Sequence, residues 1–175
     1  KYTNIKDEKS LLKELTHLMS KREIEKERQP LLKEIISKER IQVVDSVTDW
    51  KEAISYSSKP LLDEGIIQND YVDAMINAVE EYGPYIVLAD EFALPHASNQ
   101  SSVKEVAISV LVLKNSIDMK GKPVKIFMTL ATVDNESHLK ALSSLVDIIS
   151  IDEKLEQIKN GSIEEIYAIL KGGAK

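Results

Sequence analysis

The sequence predicts an α/β domain behind a helical extension, and three observations lead there. The runs "YIVLA" (85–89), "VAISVLVL" (106–113) and "VKIFMTLA" (124–131) are short, apolar and rich in β-branched residues, as buried strands are. The stretches around them switch to the apolar period of a helix, and residues 1–40 differ from the rest in being charged and helical throughout. At 175 residues and 43% apolar content, the chain is long enough for one substantial core.

In the extension, Leu11, Leu12, Leu15, Leu18 and Met19 recur at helical spacing behind Ser10 as a cap. The following "KREIEKERQP" has seven charged residues in ten and reads as a solvated helix face or linker. Pro30 suits the first turn of another helix carrying Leu31, Leu32, Ile35 and Ile36. The boundary falls between Arg22 and Arg40, with 1–37 expected as a helical linker or extension and 38–175 as the domain. Residues 1–37 are then expected to be dispensable for the fold; the alternative is that Leu11, Leu15 and Leu18 pack on the domain or pair with a second copy as a homodimer.

From Ile41 the domain pattern begins. "IQVVDSV" (41–47) reads as a strand, and Asp49 with Glu52 starts a helix through Trp50, Ala53, Ile54 and Ser57, ending before Gly65. Asn69 caps the next helix, whose Tyr71, Met75, Ala78, Val79 and Tyr82 share a face until Gly83 stops it and Pro84 bars continuation. Among the three later strands, 106–113 is almost continuously apolar and suits a central position covered on both faces. "DMKGKPV" (118–124) reads as a loop. Asp134 or Asn135 caps a helix carrying Leu139, Leu142, Leu145, Val146 and Ile149, with His138 in its first turn. After a short helical piece and Gly161, Ser162 and Glu165 form a capping box ahead of Ile166, Ile169 and Leu170.

Composition narrows the function. With 23 basic against 29 acidic residues, the net charge of −6 argues against a nucleic-acid surface and repels an anionic membrane. Without cysteine there is no disulfide, thiolate nucleophile or iron–sulfur cluster. No apolar run approaches the roughly 20 residues of a membrane span, and Lys1 to Lys9 lack a signal-peptide core, so a cytoplasmic location is expected. The opening residue is Lys1 rather than methionine, which fits either a segment of a longer polypeptide or trimming.

Three histidines remain. His17 lies in the charged extension and is expected to have no role. His96 follows Pro95 in "DEFALPHASNQ" and His138 follows the strand at 124–131; sites in open α/β sheets form beyond the carboxyl ends of strands. A neutral imidazole attacks a phosphoryl group without a separate base, and a second imidazole can donate to the phosphoryl oxygens. Pro95 fixes the backbone entering His96, and a helix start at Asn135 would add amide donors for an anion. Other readings stay open. His96 can simply bond a carbonyl, or His96 and His138 can join Asp90, Glu91 or Asp134 around a metal ion. A serine hydrolase is disfavoured by the lack of a G-x-S-x-G elbow, and neither a P-loop nor a G-x-G-x-x-G is present.

"GPYIVLADEFALPHAS" (83–98) together with "AISVLVLKNSIDMKGKPVKIFMTLATVDNESHLKAL" (107–142) resembles the family 2 IIA domains of the bacterial sugar phosphotransferase system, of the mannitol, fructose and ascorbate types. "VTDWKEAI" and "YVDAMINAV" look like the ascorbate branch, and the resemblance runs from about Ile41 to Leu170. It implies a mixed β-sheet flanked by helices on both faces and no metal or organic cofactor. It also implies that His96 is the phosphoryl acceptor, forming a phosphohistidine, and that His138 is the auxiliary imidazole that stabilises the phosphoryl. The implied donor is the histidine phosphocarrier protein and the implied acceptor a IIB domain. Many members carry a basic residue two places after the active histidine. Ser98 stands there here, leaving the phosphate charge to amides or Lys104. Two settings share such a domain: a free-standing IIA relay for sugar or ascorbate uptake, and a module of an antiterminator-like transcription regulator attached to upstream domains. "LADEFALPHAS" and "IFMTLATVDNESHLKAL" look more like the regulator-borne copies, and the absent initiator methionine and the charged helical lead into Ile41 also suit a linker from upstream domains, which favours the regulator. A module that keeps the histidine without relaying, and a metal-dependent enzyme, are the remaining classes.

Overall fold

The computed structural model describes residues 5–98 and 100–172. The charged lead is one long helix, α1 (Ile5–Glu27). Leu11, Leu12, Leu15, Leu18 and Met19 are 47–66% exposed, so this stripe does not pack on the domain. After Pro30 the short helix α2 (Leu32–Ile35) turns inward. Leu32, Ile35 and Ile36 are almost fully buried in the main core, although the expected boundary at 38 left them outside.

The sheet has five strands: β1 (Ile41–Val44), β2 (Val87–Ala89), β3 (Glu91–Ala93), β4 (Ala107–Met119) and β5 (Lys122–Ala131). Their spatial order is β1-β4-β5-β3-β2. β1 runs parallel to β4 and β3 parallel to β5, whereas β4–β5 and β2–β3 are antiparallel, so the sheet is mixed. β4, almost continuously apolar in its first half, lies between β1 and β5 and is buried from Ala107 to Leu113, as expected of a central strand. One face is covered by α3 (Trp50–Asp63) and α4 (Asn69–Tyr82), which bury Trp50, Ile54, Tyr71, Met75 and Val79. The other is covered by α2 with α5 (Leu139–Ile149), α6 (Asp152–Asn160) and α7 (Ile163–Leu170).

The caps largely follow the sequence. Asp49 accepts from the Glu52 amide at 2.8 Å, and Gly83 ends α4 at φ 80°. Ser162 and Glu165 close a reciprocal capping box on α7. Four readings change. Gln68 rather than Asn69 occupies the cap position of α4. "DMKGKPV" is a hairpin rather than an open loop: Met119 pairs with Lys122, and Lys120 and Gly121 take φ of 48° and 94°, the two-residue turn that matches strand twist. In "YIVLA" only 87–89 are strand, and an unpredicted β3 follows at once. Its start is hidden in the sequence by the acidic pair Asp90–Glu91, where Glu91 takes φ 54° to reverse the chain. Finally, α5 begins at Leu139, so His138 precedes the helix instead of lying in its first turn.

Two buried polar groups gave no signal in the sequence. Ser57 and Thr129 share a hydroxyl bond of 2.7 Å between α3 and the sheet. Lys159 on α6 is 4% exposed, with its ammonium 2.7 Å from Asp90, 2.8 Å from Glu156 and 3.4 Å from Glu91. Burial alone would lower its pKa, but the three carboxylates outweigh this and raise it above that of an ordinary lysine.

Candidate functional site

Because β3 and β5 are parallel neighbours, the segments that leave their carboxyl ends emerge on the same side of the sheet. One carries His96 and the other His138. Leu130 N donates to Pro95 O at 2.9 Å, continuing the ladder past β3, and Gln100 Nε2 donates to Asn135 Oδ1 at 2.9 Å further out. The two sequence candidates are thereby gathered at one end of the fold.

His96 is half-buried, and its Nδ1 lies 2.7 Å from Leu94 O. A carbonyl oxygen only accepts, so Nδ1 carries the proton and Nε2 carries the lone pair. The carbonyl contact therefore fixes the tautomer that a nucleophile needs. Tyr85 stands against the same ring edge-on, with centroids 6.0 Å apart at 78°.

His138 ends the loop ahead of α5. Asp134 shapes that loop by accepting from the amides of Glu136 (2.8 Å) and Ser137 (2.6 Å) and from the Ser137 hydroxyl (2.5 Å), which holds its carboxyl below the usual range. Those two amides are spent on Asp134, and the Lys140 amide donates to Gln29 Oε1 at 3.1 Å. The amides of Glu136, Ser137 and Lys140, expected from a helix start near Asn135 as donors for an anion, are thus already engaged. His138 Nδ1 is enclosed and makes no well-formed hydrogen bond among the described residues, so Nε2 is the edge taken to meet a ligand. Burial pushes the His138 pKa below its ordinary value; Asp134 pulls it up, and the nearby His96 lowers it further. The His138 ring is therefore close enough to His96 to sense its charge.

The metal set considered from the sequence is not assembled. Asp90 and Glu91 lie at the opposite end of β3 from His96 and pair with Lys159. Among the described residues, no group of three or more candidate ligands surrounds a common point. His17 is exposed on α1. Ser98 is exposed, and the Lys104 ammonium lies beside Gly65, 3.7 Å from where a Cβ would stand. Sequence reasoning missed Tyr71 as a member of the site. It was read as a core residue of α4, but its hydroxyl reaches the His96 turn, and only the polar end of an otherwise apolar stripe hinted at this.

The family "Phosphoenolpyruvate-dependent sugar phosphotransferase system, EIIA 2" matches residues 34–173, which spans the whole sheet and both histidine loops. The chain belongs to this family. It is similar to the mannitol-specific cryptic phosphotransferase enzyme IIA component of Escherichia coli (strain K12), with 32% identity over 130 residues, 73% of this chain and 88% of that protein. An ascorbate-specific EIIA component of Mycoplasma pneumoniae is 29% identical over 122 residues, covering 69% and 76% of the two chains. The solution structure of the E. coli mannitol-specific cryptic enzyme IIA superposes with a TM-score of 0.76 at 29% identity, over 82% of this chain and all of that one. The EIIA domain described here is thus a member of a phosphoryl-carrier family, with the mixed sheet and two-sided helical cover that the sequence resemblance implied. No helix among its described residues is long and apolar enough to cross a membrane.

Proposed function

We propose that this EIIA domain accepts a phosphoryl group on His96 Nε2 from the histidine phosphocarrier protein and relays it to a IIB partner in sugar or ascorbate uptake. The observation that carries the reading is the Leu94 O contact of 2.7 Å, which leaves Nε2 unprotonated beside a second imidazole. In the transfer, the Nε2 lone pair forms the new N–P bond as the donor's P–N bond breaks. The His96 ring gains positive charge, which the Nδ1–H bond to Leu94 O disperses. Nε2 of His138 is the group that would donate to the equatorial phosphoryl oxygens, where charge-directed donors act most strongly. Its lowered pKa keeps it neutral at physiological pH before the phosphoryl arrives. No metal or organic cofactor enters the proposal.

The regulator setting favoured by the sequence rested on the look of the two histidine segments together with the charged helical lead. The relatives named above are IIA components for mannitol and ascorbate, matched over most of their own lengths, and they favour the relay. We also take the packed domain to start near Pro30 rather than Lys38, on the burial of Leu32, Ile35 and Ile36.

Incubation with phosphoenolpyruvate, enzyme I and the phosphocarrier protein, followed by intact mass, tests the acceptor role. One phosphoryl should be gained by the wild type and none by a folded His96→Ala variant. Onward transfer to a IIB domain separates a relay from a regulator. Labelling of His96→Ala at the wild-type rate would overturn the assignment.

A further inference from the structure

The two imidazoles sit on separate loops, and one buried phenol touches the backbone that leads to each. Tyr71, in the first turn of α4, is fully buried. Its hydroxyl donates to Leu130 O at 2.6 Å and accepts from Ala97 N at 3.3 Å. Ala97 adjoins His96, and Leu130 lies near the end of β5, whose continuation carries His138. The sense of both bonds is forced, because the carbonyl can only accept and the amide only donate. A protonated phenol satisfies both at once. A phenylalanine would fill the same volume but leave a buried amide and a buried carbonyl each short of a partner.

We propose that Tyr71 is a positioning residue for phosphoryl transfer: its hydroxyl ties the His96 turn to the end of β5 and so sets the spacing of His96 and His138. Its hydroxyl bonds the backbone of the two segments, and it acts through them. The other two ties differ in kind. The Leu130 N to Pro95 O bond is backbone, and the Gln100 to Asn135 bond lies between exposed parts of the loops. Burial pushes the Tyr71 pKa up, opposed by the Ala97 amide and by Thr132, so the proton that bonds Leu130 O stays in place at neutral pH.

This inference rests on the acceptor reading of His96, and the test separates the two. Wild type, Tyr71→Phe, His138→Ala and the double variant of the full chain are phosphorylated by phosphoenolpyruvate, enzyme I and the phosphocarrier protein, at a temperature where circular dichroism shows all four folded. The Tyr71→Phe rate should fall about tenfold, the loss of roughly one buried hydrogen bond's contribution to positioning. In the His138→Ala background the same change should cost about twofold or less, because no second imidazole is left to align. Equal losses in both backgrounds would make the phenol merely structural, and an unchanged Tyr71→Phe rate would remove it from the site. Both overturn the proposal. A readout without phosphoryl donor is the NMR titration of the histidine rings: Tyr71→Phe should shift the His138 midpoint and leave His17 unmoved. If His138 does not move, the proposal fails whatever the phosphorylation assay returns. If the wild type takes up no phosphoryl while His138 does move, the acceptor reading fails and the role of Tyr71 in phosphoryl transfer falls with it, while the tie between the two histidine segments stands.

Discussion

Removing residues 1–37 should unfold the domain, whereas removing residues 1–27 should not. The first truncation deletes Leu32, Ile35 and Ile36, which are 4%, 3% and 4% exposed and belong to the core under α5. At about 1.5–3 kcal/mol for each fully buried aliphatic side chain, their loss costs about 5–9 kcal/mol. Residual burial in the unfolded chain reduces that by about 10–40%. The bond from Arg40 Nη1 to Ile35 O (3.0 Å) and the bond from Lys140 N to Gln29 Oε1 (3.1 Å) go as well. Against a total stability of about 5–15 kcal/mol for a typical domain, such a loss is decisive. A chain beginning at Lys38 should therefore melt about 10–30 °C lower, or not fold at all. A chain beginning at Arg28 keeps α2, and the apolar side chains it loses from α1 are exposed among the described residues, as is the Arg22–Glu136 ion pair, so it should melt within a few degrees of the full chain. Thermal unfolding by circular dichroism, with phosphoryl uptake by mass as a second readout, compares all three. Equal melting of the Lys38 chain and the full chain would refute the assignment of α2 to the core.

His138→Ala should slow phosphorylation about tenfold or more, since loss of one charge-directed donor typically costs about 10²–10³ in rate, while its melting temperature stays within a few degrees. An unchanged initial rate would reduce His138 to a residue of the loop. NMR titration of the free protein should find His138 below the ordinary histidine value of about 6.5. The unfolded chain then binds the extra proton first, so stability falls as pH drops from about 6.5 to the lowered folded value. Phosphorylated His96 brings negative charge that favours the imidazolium, and the His138 midpoint should rise; a midpoint indifferent to phosphorylation would detach it from the site.

Much of the domain could be read because its elements obey one period at a time. β4 is almost continuously apolar over 107–113 and β5 mostly apolar over 124–131, and the capping box at Ser162 is local chemistry with a fixed spacing. The misreadings occur where tertiary pairing overrides local pattern. β3 is three residues long and begins on a glutamate at positive φ, so only its partner β5 makes it a strand. α2 is legible as a helix behind Pro30, but nothing local in its four residues tells that Leu32, Ile35 and the following Ile36 pack into the core under α5 rather than belong to the charged extension. His96 and His138 stood out as rare titratable residues after strands. Their meeting depends on the parallel β3–β5 register, which no local signal encodes. Tyr71 and Lys159 show the same limit: each looks like an ordinary helical residue until the fold brings partners from distant segments.

The nitrogen that carries the phosphoryl group is the most direct test of the mechanism. Uniformly ¹⁵N-labelled protein, phosphorylated through phosphoenolpyruvate, enzyme I and the phosphocarrier protein, reports it by the histidine ring ¹⁵N shifts and their coupling to ³¹P. The Leu94 O contact predicts phosphorus on His96 Nε2, with Nδ1 still protonated. Phosphorus on Nδ1 of His96, or on any ring of His17 or His138, would contradict it.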